Sequence, residues 1–198
     1  DGTQVNFTEI ERIICFADGT MIDTPRGPYP IEQLAPGDLV LTLENGPVPI
    51  RWHGRRVVVG HGDAAPIRFG PGTLGNARPL LVSPQHRILV TDHRAQLNFG
   101  EDEILVPAKA LIDGRGVFPS PVERIAYHHI LFDTHQIIWA NGVPTESYHP
   151  GAYSLDGLGE EARDALFSVF PNLRSDPNGY GPSARPAVRV EAGRILAA

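Results

Sequence analysis

Apolar positions along this chain come in short runs rich in β-branched residues, each closed within a few residues by glycine, proline, asparagine or aspartate. Runs of that kind predict strands, here Leu39–Leu43, Ile50–Trp52, Arg56–Val59, Ile67–Phe69, Leu80–Val82, Arg87–Val90, Ile104–Pro107, Val122–Tyr127, His129–Phe132 and Gln136–Trp139. The separators Pro36-Gly37-Asp38, Glu44-Asn45-Gly46, Pro71-Gly72, Asp113-Gly114 and Asn141-Gly142 preset a turn or tolerate positive φ. So many short strands through about residue 147 predict one all-β unit. From Gly159 the pattern changes: Glu160 to Phe170 joins helix formers to early acids and stops at Pro171, predicting one amphipathic helix. Pro177 to Pro186 reads as an irregular arm, and Val188 to Ala198 fits either a last strand or a short helix. Residues 1–14 form a leader whose weak apolar pattern lies at Ile10, Ile13 and Ile14. No internal repeat or low-complexity segment interrupts the chain.

Composition narrows the function classes. At 198 residues the chain is long enough to bury a sizeable core. Its 17 basic and 23 acidic residues leave a net charge of −6, so no broad basic field draws in phosphate backbones, and nucleic acid is not an expected partner. No apolar run is long enough to span a bilayer, and the first residues lack the basic-then-apolar order of a signal peptide. One cysteine, Cys15, excludes an internal disulfide and a multi-cysteine zinc site. It is left as either a buried apolar thiol or a reactive one.

Three further segments bear on that choice: Ile31 to Thr42, then Leu81-Val82-Ser83-Pro84-Gln85-His86-Arg87-Ile88-Leu89-Val90, then His135-Gln136-Ile137-Ile138-Trp139-Ala140-Asn141-Gly142. With Cys15-Phe16-Ala17-Asp18-Gly19-Thr20 ahead of them, the set resembles the Hint superfamily, the domain shared by inteins and Hedgehog autoprocessing proteins, and in particular its bacterial branch. The resemblance covers roughly residues 13 to 150. It implies a horseshoe-shaped all-β fold with approximate internal twofold symmetry, plus a short C-terminal helix. The organisation expected is a leader (1–14), an autoprocessing domain (15–150) and a helical, Pro-rich appendage packed on it (151–198).

The resemblance also implies chemistry. The Cys15 thiol attacks the Ile14 carbonyl, turning the Ile14-Cys15 amide into a thioester by an N-to-S acyl shift. A thiol attacks well only as thiolate, and an amide nitrogen leaves only when protonated, so other residues must move protons. His86 matches the family's histidine in a Thr-x-x-His step, with Ser83 in place of the threonine; Ser keeps the hydroxyl and loses the rotamer-restricting methyl. In Tyr127 to His135, period-two alternation puts His129, Asp133 and His135 on one face. His135 matches the histidine before the Ala-Asn-Gly step. The early aspartate of the family falls at His128 or His129, with parity favouring His129. A zinc site built from His129, Asp133 and His135 lacks nearby cysteines, so no metal or other cofactor is expected.

The pattern also departs from inteins. Glu146 and Ser147 stand where an intein has His-Asn, so C-terminal asparagine cyclisation is not expected, and Asn141-Gly142 belongs to a turn. What remains resembles the Hedgehog half: the domain acts once, in cis, on its own N-terminal flanking polypeptide, and water or a small nucleophile resolves the thioester. The family further implies a monomer that forms part of a larger, exported bacterial protein. A different class of reading is a catalytically inactive Hint-like structural or adhesion module, and a hydrolase acting on other molecules is the weakest, since Cys15 is joined to the bond it would attack. His53 and His93 have no partner that spacing identifies and read as structural or solvated; His61 and Asp63 read first as an exposed polar loop, the alternative being help to an incoming nucleophile.

Overall fold

Turns close the apolar runs much as expected, and two pairs of expected strands join into longer ones. The computed structural model describes residues 14–197, so the leader over residues 1–13 lies outside the described residues. The strands are β1 (Phe16–Ala17), β2 (Met21–Thr24), β3 (Gly27–Pro30), β4 (Leu39–Thr42), β5 (Gly46–Pro49), β6 (Trp52–Gly60), β7 (Ile67–Phe69), β8 (Leu80–Val82), β9 (Arg87–Val90), β10 (Ile104–Pro107), β11 (Val117–Pro119), β12 (Val122–Leu131), β13 (Ile137–Ala140) and β14 (Val143–Glu146). The helices are α1 (His93–Phe99), α2 (Ala152–Asp156), α3 (Glu160–Val169), α4 (Asn172–Ser175) and α5 (Val190–Gly193). One sheet runs β11-β7-β8-β1-β12-β6 and the other β10-β9-β14-β13-β2-β3, with β4 joining β13 and β5. All named strand pairs are antiparallel. The main core gathers Phe16, Ile22, Phe69, Leu80, Ile88, Ile104, Ile130, Phe132 and Ile138.

Ile50–Trp52 and Arg56–Val59 are not separate: Trp52 and the second run belong to β6. Val122–Tyr127 and His129–Phe132 likewise merge into β12. The two long strands pair with each other from Val122↔Gly60 to Leu131↔Trp52, a ladder that stabilises both across the expected breaks. Gly54, which looks like a break, is a space requirement: a Cβ there would lie 2.2 Å from the Trp52 ring. The unexpected β3, β5 and β11 carry Pro28, Pro30, Pro47, Pro49 and Pro119, and each pairs with a single neighbour at a sheet edge, where a missing N–H is tolerated. Helix α1 was also unexpected, although Asp92 caps its first turn by accepting from the Arg94 N–H and Gly100 ends it in the left-handed region.

The C-terminal segment packs on the β unit. Helix α3 buries Leu166 in a second core with Ile14, Trp52, Leu131, Tyr148, Leu155, Leu158, Leu173 and Tyr180. The Tyr180 hydroxyl donates to the Phe132 carbonyl at 2.8 Å. The arm then runs beside edge strand β10, where the Leu105 N–H donates to Pro186 O (2.8 Å) and the Val188 N–H to Leu105 O (3.0 Å). After it the chain ends in α5 and a 3₁₀ turn (Arg194–Leu196), which resolves the strand-or-helix alternative as helical.

Candidate active site

Strand β1 is only two residues long, yet it is held between β8 and β12, and this sets the position of the Cys15 backbone just ahead of it. The Cys15 N–H donates to Ser83 Oγ at 3.0 Å, and the Ser83 N–H donates back to the Cys15 carbonyl at 3.0 Å. The nitrogen of the Ile14-Cys15 amide therefore rests on the hydroxyl just after β8. Ser83, at 2% exposure, opens the tight turn in which the His86 N–H reaches the Ser83 carbonyl at 3.1 Å.

His129 approaches from β12 on the other side. Its Nδ1 lies 2.7 Å from the Ile14 carbonyl oxygen and its Nε2 3.3 Å from Cys15 Sγ. A carbonyl oxygen only accepts, so Nδ1 carries the hydrogen and, in the neutral ring, Nε2 is bare; Sγ lies 3.6 Å from Nδ1 as well, so the thiol sits against the ring with Nε2 as its nearer nitrogen. Trp52 stacks on this imidazole at 6.2 Å between centroids and Tyr148 meets its edge at 4.9 Å. Enclosed in this way, His129 is driven by burial down to a pKa of about 3 and is neutral at physiological pH. Burial pushes the Cys15 thiol well above its ordinary range, opposed by its hydrogen bond with Ser83 and by the Arg56 charge. At rest Cys15 is thus a thiol beside a neutral imidazole.

His86 is fully buried, edge-on to Phe16 at 4.3 Å, and neither ring nitrogen has a hydrogen-bond partner. Burial above all, and to a smaller extent the nearby Arg87 charge, lowers its pKa to about 3. An unpartnered buried imidazole is costly, and burial keeps this one neutral.

The shared face of His129, Asp133 and His135 does not form. Strand β12 ends at Leu131, and the chain bends through residues 132–136 before β13 begins. Asp133 is correspondingly displaced: its side chain is 60% exposed and pairs with Arg51 on the surface, at 2.9 Å. Parity inside β12 still separates His129, which faces Cys15, from His128, which faces Asp18 and His53. His135 is buried in a different cluster. The Ala184 N–H donates to its Nδ1 at 2.9 Å, leaving Nε2–H to donate to the Ser147 carbonyl at 3.2 Å. Burial takes it also to about 3.

Sequence reasoning noticed Glu146 only as a departure from the intein pattern. The structure buries it completely, with its carboxylate accepting from the Arg87 N–H (2.8 Å) and guanidinium (3.1 Å), 3.6 Å from His135 Nε2. Burial raises its pKa to about 7. Ser147 Oγ accepts from the Gln136 N–H at 3.0 Å. Asn141 is a structural brace: it takes φ +50° in the β13–β14 turn, accepts from the Met21 N–H and donates to Pro79 O, each at 2.8 Å. Among the described residues no group of three or more His, Cys, Asp or Glu is arranged to hold a metal ion, and no helix is long and apolar enough to cross a membrane.

No curated protein matches the chain. Among solved structures it is similar to a splice-inactive variant of the AceL NrdHF class 3 split intein, at 13% identity over 68% of this chain and 99% of that one, TM-score 0.49. It is also similar to a bacterial intein-like domain from Clostridium thermocellum (17% identity, 69% and 99% covered, TM-score 0.44) and to the MchDnaB-1 intein (16%, 66% and 98%, TM-score 0.44). The family model described as the Hint domain matches residues 14–152, the span that begins at the amide held between Ser83 and His129 and ends just past the Glu146-Ser147 step. On that match the chain belongs to the Hint domain family.

Proposed function

We propose that this domain processes itself at the Ile14-Cys15 bond. Cys15 Sγ attacks the Ile14 carbonyl carbon while His129 Nε2 takes the thiol proton and His129 Nδ1–H steadies the developing oxyanion. The C–S bond forms, the C–N bond breaks, and the proton ends on the Cys15 nitrogen, for which His86 is the carrier. Ser83, bonded to that nitrogen beforehand, orients it. The product is a thioester on Cys15 with a free amine; water then hydrolyses it to an Ile14 carboxylate, or a small nucleophile takes the upstream segment. Asp133 has no part in this, and His135 acts at most through its surroundings, since its hydrogen bonds go to Ser147 and Ala184.

The observation that carries the reading is the single imidazole of His129 within hydrogen-bond reach of both the scissile carbonyl and the nucleophile. The test is intact mass over time at neutral pH, with and without hydroxylamine or excess thiol, beside Cys15→Ala and His86→Ala. Nucleophile-accelerated loss of residues 1–14, absent in Cys15→Ala, is expected. An unchanged mass under every condition would leave the inactive structural module as the better account.

A further inference from the structure

A second chain of polar groups, buried at His128, half-buried at His53 and open to solvent at Asp18, stands behind the Cys15 site and has no role in the reaction above. It starts at the Leu34 carbonyl, 2.7 Å from His53 Nδ1, continues from His53 Nε2 to His128 Nδ1 at 2.9 Å, and ends where His128 Nε2 meets the Asp18 carboxylate. His53 lies on β6, His128 on β12 and Asp18 immediately after β1, so the chain ties together three neighbouring strands of one sheet.

Its hydrogen atoms can be counted. Three links need three hydrogens: one toward the Leu34 carbonyl, one between the rings, one between His128 and Asp18. Two neutral imidazoles and an ionised carboxylate supply only two. Whichever ring holds it, the closed chain contains one extra proton and carries no net charge. Without that proton two lone-pair acceptors face each other at one link, and the link opens.

We infer that the Asp18–His128–His53 chain is a positioning device for the Cys15 site, closing β1 onto β12 only while it holds its third proton. Asp18 is three residues from Cys15, the Asp18 N–H donates to Ala126 O on β12 at 3.1 Å, and Phe16 lies opposite His128 in the ladder. His129, next along β12, reaches Cys15 and the Ile14 carbonyl from the opposite face. An opened link leaves the β1 side of that contact to its backbone hydrogen bonds alone. The other charged groups around the chain are Arg55, opposite His128 in register, Arg56, which acts on both Cys15 and His129, and Glu32, whose carboxylate accepts from the Gly19 N–H. Burial lowers the His53 pKa, which disfavours holding the extra proton on that ring.

The inference rests on the proposed self-processing for its rate readout only. The test compares the full chain with Asp18→Asn and Asp18→Ala. An asparagine amide N–H donates to a bare His128 Nε2, closing the link with no extra proton. Hydroxylamine-driven loss of residues 1–14 is followed over about pH 5 to 9, where imidazole and thiol titrate. The ratio of the native rate to the Asp18→Asn rate, in which the thiol's own titration cancels, should fall about tenfold as pH rises, the equivalent of one charge-assisted hydrogen bond. Asp18→Ala should be slow throughout. Imidazole ¹⁵N shifts provide the second readout: both nitrogens of His128 protonated in the native chain at the acidic end, and Nε2 bare in Asp18→Asn. A bare His128 Nε2 in the native chain at every pH, or identical pH profiles for the native and Asn chains, overturns the inference. Absence of processing in all three chains refutes the proposed function instead, and the ¹⁵N shifts then decide the proton count alone.

Discussion

Replacing His129 by alanine removes two interactions at once. The Ile14 carbonyl loses its donor at 2.7 Å and the thiol loses the base at 3.3 Å. A positioned general base contributes about 10²- to 10⁴-fold, and removing one oxyanion donor costs about 10²- to 10³-fold. Because one ring does both and the effects of groups acting as a unit do not add, we expect a fall of about 10³-fold or more in thioester formation, equivalent to ~4 kcal/mol of activation free energy. The substitution also opens space between Trp52 and Tyr148 and leaves a buried carbonyl unpaired, which costs about 1–3 kcal/mol of stability. Thermal melting must therefore accompany the rate, and His129→Gln separates the two effects: its amide N–H can still donate to the carbonyl, but it offers no base. The assay is the rate of loss of residues 1–14 by intact mass at saturating hydroxylamine, below the melting temperature of each variant. Processing of folded His129→Ala within about threefold of the native rate would refute the assignment of the proton transfers to this ring.

Three other outcomes follow from the same structure. Asp133→Ala should leave processing unchanged and cost no more than about 1 kcal/mol in a urea titration, because its ion pair with Arg51 is solvent-exposed; a large rate loss would return Asp133 to the mechanism. Glu146 has a native pKa of about 7 against an ordinary 4.5, so the native state binds the extra proton and stability falls as pH rises between those values, by up to about 3 kcal/mol. In Glu146→Gln that decline in melting temperature should disappear, and an unaltered pH–stability slope would show the carboxyl to be ordinary. Leu166→Ala, fully buried against the cluster that includes Ile14 and Trp52, should cost about 2–5 kcal/mol by urea unfolding; a loss below 1 kcal/mol would mean that α3 contributes little to the domain.

Much of this was legible in the chain because it is local. Alternation and turn chemistry gave Ile67–Phe69, Leu80–Val82, Arg87–Val90 and Ile104–Pro107 their bounds, and Glu160 with Pro171 framed α3, since these signals act within a few residues of where they are read. The ordered set Cys15, Ser83-x-x-His86 and His135 to Gly142 pointed to the Hint family without any coordinates. Period two chose His129 over His128 inside β12, where the strand is regular. It failed at Asp133 because β12 ends at Leu131, and parity has no meaning across a bend.

What only the tertiary structure decided is long-range. The proline-bearing strands β3, β5 and β11 exist because each lies at a sheet edge, a fact of neighbours and not of composition. Glu146 becomes a buried, proton-holding acid only because the fold removes it from water, against the opposing pull of Arg87, and Asp18, His53 and His128 form a chain only because three strands meet. The sequence by itself determined which residue types could do chemistry. Their protonation was set by burial and by partners far away in sequence, because desolvation and hydrogen bonding depend on the surroundings a side chain finally reaches.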